Sequence, residues 1–273
     1  KTNSMEISTS YNKPGKLENS RFEKIDNVIF DSSNSGSKAV ANEIASLIRA
    51  KQNKNELFIL GLATGSSPIK VYEELIRLHE QENLSFKNVV TFNLDEYFPM
   101  DPDNYQSYYY FMHEYLFNHI DILPENINIP KGNLSMEESA AFCISYDEKI
   151  KSYGGIDFQL LGIGRTGHIG FNEPGSHFNS STRMVTLDYI TRRDAAEAFL
   201  SIDNVPKKAI TMGIATIFEA KRIVLLAWGQ NKSEIVKDTI EGEVTARKPA
   251  TYLQQHNATT IVLDTEASSL LTR

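Results

Sequence analysis

His168 and Glu173 stand five positions apart in the stretch QLLGIGRTGHIGFNEPGS, residues 159 to 176. The leading residues read as a buried strand. The loop that follows carries Gly162, Gly164, Gly167 and Gly170. Glycine lets a backbone turn tightly and approach a ligand. An imidazole exchanges protons near neutral pH, and Glu173 is close enough for the loop to fold back and orient it. Asn172 adds a neutral donor and acceptor, and Pro174 stiffens the exit.

Two other strand ends carry similar promise. TFNLDEY (91–97) ends a hydrophobic run on Asp95 and Glu96. A carboxylate partly removed from water is suited to general base work; the alternative is that Asp95 caps the next turn. LGLATGSSP (60–68) runs a buried strand into Thr64, Gly65, Ser66 and Ser67 and then into a helix at Pro68. Hydroxyls, a permissive glycine and unpaired N–H groups at a helix start suit a phosphate. The alternative is a simple turn in which the serines serve as N-caps. The stretch matches neither GxGxxG nor Walker A, so no nucleotide is indicated.

These ends need a scaffold, and the chain supplies one by alternation. NVIFDS (27–32), LFILGLA (57–63), NVVTFNLD (88–95), IDFQLLGIG (156–164), AITMGIATI, RIVLLAWG and TTIVLDTEA read as strands. SGSKAVANEIASLIRAKQ, PIKVYEELIRLHEQ, SYYYFMHEYLFNHI, MEESAAFCISYDEKIKSY and NKSEIVKDTIEG read as helices. The expected fold is α/β, an open doubly wound, mostly parallel sheet covered on both sides. In such sheets ligands sit beyond the carboxyl ends of the strands. The domain reading is a flexible polar extension over residues 1–26 and one α/β domain over 27–273. A start at Lys1 rather than Met suggests a piece of something longer.

Composition narrows the function classes. The chain has 273 residues, 41% hydrophobic and 23% charged, enough for a substantial core. A net charge of −7 argues against a nucleic-acid partner without excluding a phosphate ligand. No apolar run is long enough for a membrane span, and the first 20 residues lack the apolar centre of a signal peptide. A cytoplasmic enzyme is expected. The single cysteine, Cys143, fits a reducing compartment and reads as a small core residue. The histidines show no HxH or HxxxH spacing, so no metal is expected. The tyrosine cluster YQSYYYFMHEY (105–115) reads as helix core that could line the pocket.

The motifs LGLATGSSP, TFNLDEY, GHIGFNEP, VPKKAITMGIATI, WGQNKSEIV and TYLQQH occur here in the order of the glucosamine-6-phosphate deaminase (isomerase) family, and the chain resembles that family over roughly residues 27 to 270. GHIGFNEP is the specific element. The related 6-phosphogluconolactonases share the glycine–His loop but normally lack NEP. The resemblance implies a Rossmann-like sheet without a nucleotide site, an amino-sugar 6-phosphate as substrate, and fructose 6-phosphate and ammonia as products. It implies no metal or organic cofactor. Carried onto this chain, Asp95 moves a proton between C2 and C1, His168 helps open the pyranose ring, and Glu173 orients His168. The 64–67 loop and Lys232 hold the phosphate.

Departures from the family pattern set further expectations. Thr166 stands where the family has Asp, removing one carboxylate beside His168. Glu197 stands near the family's phosphate arginine, where it would repel the phosphate, and Arg193, one helical turn earlier, is the candidate replacement. Ser176 and Arg183 fit the allosteric pattern of some members, but Val185 replaces their lysine, so activation by N-acetylglucosamine 6-phosphate is not expected. The GRTGHIGFNEPGS form resembles a deaminase-like bacterial subgroup, some of whose members continue into a deacetylase-like domain. Relatives occur as monomers, trimers or hexamers, which leaves a homo-oligomer open. Alternatives to the deaminase are the same scaffold acting on another sugar phosphate, or a binding module without turnover.

Overall fold

The computed structural model describes residues 22–272. Its strands are β1 (Asp26–Phe30), β2 (Phe58–Leu62), β3 (Val89–Asn93), β4 (Asp95–Phe98), β5 (Ile127–Asn128), β6 (Phe158–Leu161), β7 (Arg183–Thr186), β8 (Lys208–Thr211), β9 (Ile223–Ala227) and β10 (Thr259–Asp264). Its α-helices are α1 (Ser33–Gln52), α2 (Ile69–Glu82), α3 (Tyr108–Tyr115), α4 (Met136–Ser152), α5 (Tyr189–Ala195), α6 (Ile214–Phe218) and α7 (Ser233–Glu241).

Seven strands form one parallel sheet in the order β1-β10-β9-β6-β2-β3-β5. Every residue of β2, β3, β9 and β10 is buried, as a strand covered on both faces requires. Alternation then sorts side chains into two cores. Phe58, Leu60 and Leu62 pack with α1, α2 and α3 on one face. Ile59 and Phe92 pack with α4, α6 and α7 on the other. Helix α1 starts where the Ser32 hydroxyl accepts from the Ser35 N–H, and buries Val40, Ile44 and Ile48 at four-residue spacing. Helix α4 opens with a capping box between Ser135 and Glu138. The open, mostly parallel α/β expectation is what the chain builds.

Four local readings are corrected. The run 88–95 is not one strand: β3 stops at Asn93, and Asp95 opens β4 in a separate antiparallel sheet of order β4-β8-β7. AITMGIATI is not one strand either, because β8 ends at Thr211 and α6 begins at Ile214. Apolar content alone does not distinguish a strand from a buried short helix. Ser32 belongs to the α1 cap rather than to β1. Residues 24 to 26 belong to the fold rather than to an extension, since the Lys24 N–H donates to the Ile240 carbonyl and Ile25 is buried. The rest of the expected extension, residues 1–21, lies outside the described residues. Cys143 is buried against Phe98 and Ile210, and burial pushes its thiol up to about 11. That is a core cysteine. Among the described residues no helix is long and apolar enough to cross a membrane.

Candidate active site

Four neighbouring strands, β3-β2-β6-β9, deliver their carboxyl ends to one pocket of about 640 Å³. Its wall includes Thr64 to Ser67 after β2, Asp95 after β3, Gly162 to Arg165 and His168 after β6, and Asn231 and Lys232 after β9. The strand-end rule thus places the three chemical stretches together.

The loop after β2 turns Thr64, Gly65, Ser66 and Ser67 to the pocket wall, with Thr64 hydrogen-bonded to the Tyr108 side chain. Helix α2 has Pro68 as its N-cap with no side-chain cap bond, so the serines are not N-caps. Gly65 has φ +89 with open space around it, a conformation that favours glycine. The Trp228 indole N–H donates to the Ser67 carbonyl at 3.0 Å and ties the loop to the end of β9. Lys232 precedes α7, and its Nζ donates to the Ile163 carbonyl at 2.6 Å. Burial pulls its pKa below the usual lysine value; Asp194 works against that shift and Arg165 with it.

Asp95 is buried at 6% exposure, yet its side chain faces the pocket. Burial, and then the neighbouring Glu96 charge, hold its pKa well above the ordinary aspartate value. The pleat explains why Glu96 does not share this role. Adjacent strand residues point to opposite faces, so Asp95 and Tyr97 line the pocket while Glu96 turns away. The Glu96 carboxylate accepts from the N–H groups of Tyr97, Tyr108 and Tyr109 at 2.9 to 3.0 Å. Burial raises it to about 7 against those three bonds. Glu96 is an anchor for the start of α3, not a member of the site. By holding α3 it places Tyr108 on the pocket wall, where its ring stacks on Phe171 at 5.9 Å and contacts Tyr97 at 5.0 Å. Of the tyrosine cluster, Tyr108 lines the pocket, while Tyr105, Tyr109, Tyr110 and Tyr115 are exposed rather than helix core.

The His168 imidazole is fixed from two sides. Its Nδ1 lies 3.0 Å from Glu173 Oε1. A Cβ added at Gly164 would fall on the ring, in steric conflict with Nε2, Cδ2 and Cε1, so glycine there makes room for the imidazole. Glu173 also accepts from the Thr191 hydroxyl at 2.7 and 2.8 Å and from the Asp188 N–H at 2.8 Å. Burial alone would raise its pKa, but the bonds from His168 and Thr191, with the Asp188 N–H, outweigh it and the pKa is lowered. An ionised Glu173 makes Nδ1 the protonated nitrogen and leaves the Nε2 lone pair free. Nothing in the sequence around Thr191 signals this role; it comes from α5, which folds over the loop.

Three expected site residues lie elsewhere. Asn172 is fully buried and structural: its amide donates to the carbonyls of Ile169 and Met212 and accepts from Arg183 at 2.9 Å. Thr166 is not on the pocket wall, and its buried hydroxyl has no partner among the described residues. Arg193 is exposed and off the wall, and so is Glu197, which removes the expected repulsion. Besides Lys232, Arg165 reaches the wall, where it is paired with Asp194. The sequence around Arg165 does not signal this placement, because its partner comes from a distant helix.

The carboxyl end of an open parallel α/β sheet thus brings to one pocket a buried carboxylate, a His–Glu pair and a hydroxyl loop beside a lysine. Residues 31–262 match the family described as glucosamine-6-phosphate isomerases/6-phosphogluconolactonase, and the chain belongs to that family. It is 45% identical over 253 residues to a putative glucosamine-6-phosphate deaminase-like protein of Bacteroides thetaiotaomicron, covering 93% of this chain and 38% of that relative. It is 50% identical over 233 residues to a glucosamine-6-phosphate deaminase of Mycoplasma mycoides, covering 85% of this chain and 93% of that one. Among solved structures it is similar to a monomeric glucosamine-6-phosphate deaminase, with TM-score 0.86, 45% identity, and coverage of 90% of this chain and 100% of that one. A 6-phosphogluconolactonase from Trypanosoma brucei shares the fold at TM-score 0.73 and 20% identity, covering 92% of this chain and 100% of that one.

Proposed function

We propose that this chain is a deaminating aldose–ketose isomerase that converts glucosamine 6-phosphate and water to fructose 6-phosphate and ammonia. The observation that carries this is one pocket holding a buried carboxylate, Asp95, an oriented imidazole, His168, and a hydroxyl loop beside Lys232. The Thr64–Ser67 loop and Lys232 bind the phosphate, which fixes the sugar end to end. His168 Nε2 takes the proton from the anomeric hydroxyl and returns it to the ring oxygen, opening the ring. Glu173 stabilises the transient imidazolium, and Thr191 holds Glu173.

In the open chain Asp95 takes the C2 proton, made acidic by the C1 aldehyde, and returns it at C1. The product is the 2-imine of fructose 6-phosphate. Water adds at C2 and ammonia leaves, so the net reaction consumes one water. The raised Asp95 pKa makes it a stronger base than an ordinary aspartate. The reaction is both an isomerisation and a hydrolytic loss of ammonia. The relative at 50% identity and the structural match at TM-score 0.86 favour the same substrate class.

The test is release of both products from glucosamine 6-phosphate by the purified chain, with and without N-acetylglucosamine 6-phosphate. Both products at about 1 s⁻¹ or more establish the reaction. No product, with retained sugar-phosphate binding, replaces it with a binding module or a different sugar phosphate.

A further inference from the structure

We infer that Arg165 is the second phosphate-binding cation of this pocket, and that Asp194 occupies its guanidinium until the phosphate displaces it. This rests on the sugar-phosphate reading above and extends it to residues the family comparison does not assign.

Among the described residues on the pocket wall, Arg165 and Lys232 are the two carrying Lys or Arg side chains. They are held close together. Lys232 Nζ is bonded to the carbonyl of Ile163, two residues before Arg165, and the charges of Arg165 and Asp194 act on it in opposite senses. Both cations therefore lie on the pocket wall along the loop after β6. A sugar phosphate brings about −1.5 to −2 charges to that wall, and a lone lysine leaves much of that uncompensated.

The geometry of the Arg165 pair points to exchange. Arg165 Nε meets Asp194 Oδ2 at 2.8 Å, and Nη2 meets Oδ1 at 2.7 Å. These are two parallel N–H···O bonds on one edge of the guanidinium. Two oxygens of a phosphate present the same spacing to the same edge. The Asp194 carboxylate thus stands in for the ligand. Both side chains are near half exposed, at 45% and 48%, so the pair contributes little to stability and opens readily. Once released, Asp194 is left in water rather than buried without a partner.

The exchange has a further consequence. Asp194 and Thr191 lie on the same short helix, α5, and Thr191 bonds the carboxylate that orients His168. Phosphate arrival thereby releases α5 from Arg165 while its Thr191 end stays on Glu173. Asp194 is a positioning residue, and Arg165 is a binding residue.

The experiment is titration of fructose 6-phosphate, without ammonia, into the wild-type chain and into Arg165→Ala, Arg165→Lys, Asp194→Asn and Arg193→Ala, with KM and kcat for glucosamine 6-phosphate measured alongside. Arg165→Ala is expected to weaken binding about 10- to 100-fold, the range for losing charge-assisted bonds. It should raise KM far more than it lowers kcat, and Arg165→Lys should recover part of the loss. Asp194→Asn is expected to tighten binding several-fold. Arg193→Ala should stay within twofold, and inorganic phosphate should compete about 10- to 100-fold less well in Arg165→Ala than in the wild type. Binding by Arg165→Ala within twofold of wild type overturns the assignment, as does wild type that binds no sugar phosphate. Asp194→Asn that binds no better than wild type overturns the displacement. The two proposals separate cleanly: binding that depends on Arg165 without any deamination keeps this one and removes the reaction, whereas deamination with an unchanged KM in Arg165→Ala does the reverse.

Discussion

Replacing Glu173 by Gln isolates the part of the site that orients His168. The carboxylate accepts from three groups: His168 Nδ1, the Thr191 hydroxyl and the Asp188 N–H. A glutamine has one oxygen and one NH₂ for the same positions. If the NH₂ faces Asp188, two donors meet, at a cost of about 1–3 kcal/mol. If it faces His168, it donates to Nδ1 and forces the proton onto Nε2. That imidazole cannot accept a proton from the anomeric hydroxyl. The penalty on the first arrangement leaves the useful tautomer as a minority of roughly 1 in 5 to 1 in 150. The kcat loss is therefore at least about fivefold, and up to about 10⁴-fold if general base catalysis is lost outright.

Stability adds a second readout to the same variant. The Glu173 pKa is lowered in the folded chain. Its stabilisation is thus fully present above the unfolded value, about 4.3, and is lost as pH falls through the folded value. The gap in unfolding free energy between wild type and Glu173→Gln should be widest near neutral pH and close in acid. Ammonia release at saturating substrate gives kcat, and denaturant titration at several pH values gives the gap. A folded Glu173→Gln variant with kcat within threefold of wild type would refute the orienting role.

Other outcomes follow from the same geometry. Asp95→Asn should cut kcat by about 10²-fold or more and yet raise the melting temperature at neutral pH, because the buried carboxylate has a raised pKa and its charge costs stability above the unfolded value; a lower melting temperature would contradict the burial argument. The acid limb of kcat/KM should lie above the ordinary aspartate range for the same reason, and a limb near pH 4 in the rate profile would remove Asp95 as the base. Gly164→Ala should lose turnover by about 10²-fold or more while leaving sugar-phosphate binding largely intact, since the new Cβ collides with His168. Thr166→Val should keep turnover within threefold and stabilise the fold by about 1 kcal/mol, as the buried hydroxyl has no partner among the described residues; a tenfold loss of turnover would restore Thr166 to the site.

Much of this protein is written in its sequence because the signals are local. The all-buried strands read as apolar runs, and glycines and hydroxyls at their carboxyl ends mark where a ligand sits. Asp95, His168 and the 64–67 loop each follow such a run, so strand-end logic finds them one by one. Glu173 is legible because it lies in the same loop as His168.

Tertiary structure decided what local signals cannot carry. Whether Asp95 or Glu96 faces the pocket depends on the pleat of β4, and β4 exists only because β8 pairs with it. Thr191 and Asp194 come from α5, whose short sequence has no sign that it folds over a loop whose partners lie 18 and 29 residues earlier. Asn172 and Thr166 sit in the most suggestive motif of the chain, yet backbone direction turns one into the core and the other off the pocket wall. Sequence determines which residue types lie near a strand end; side-chain direction and long-range pairing determine which of them meet the substrate.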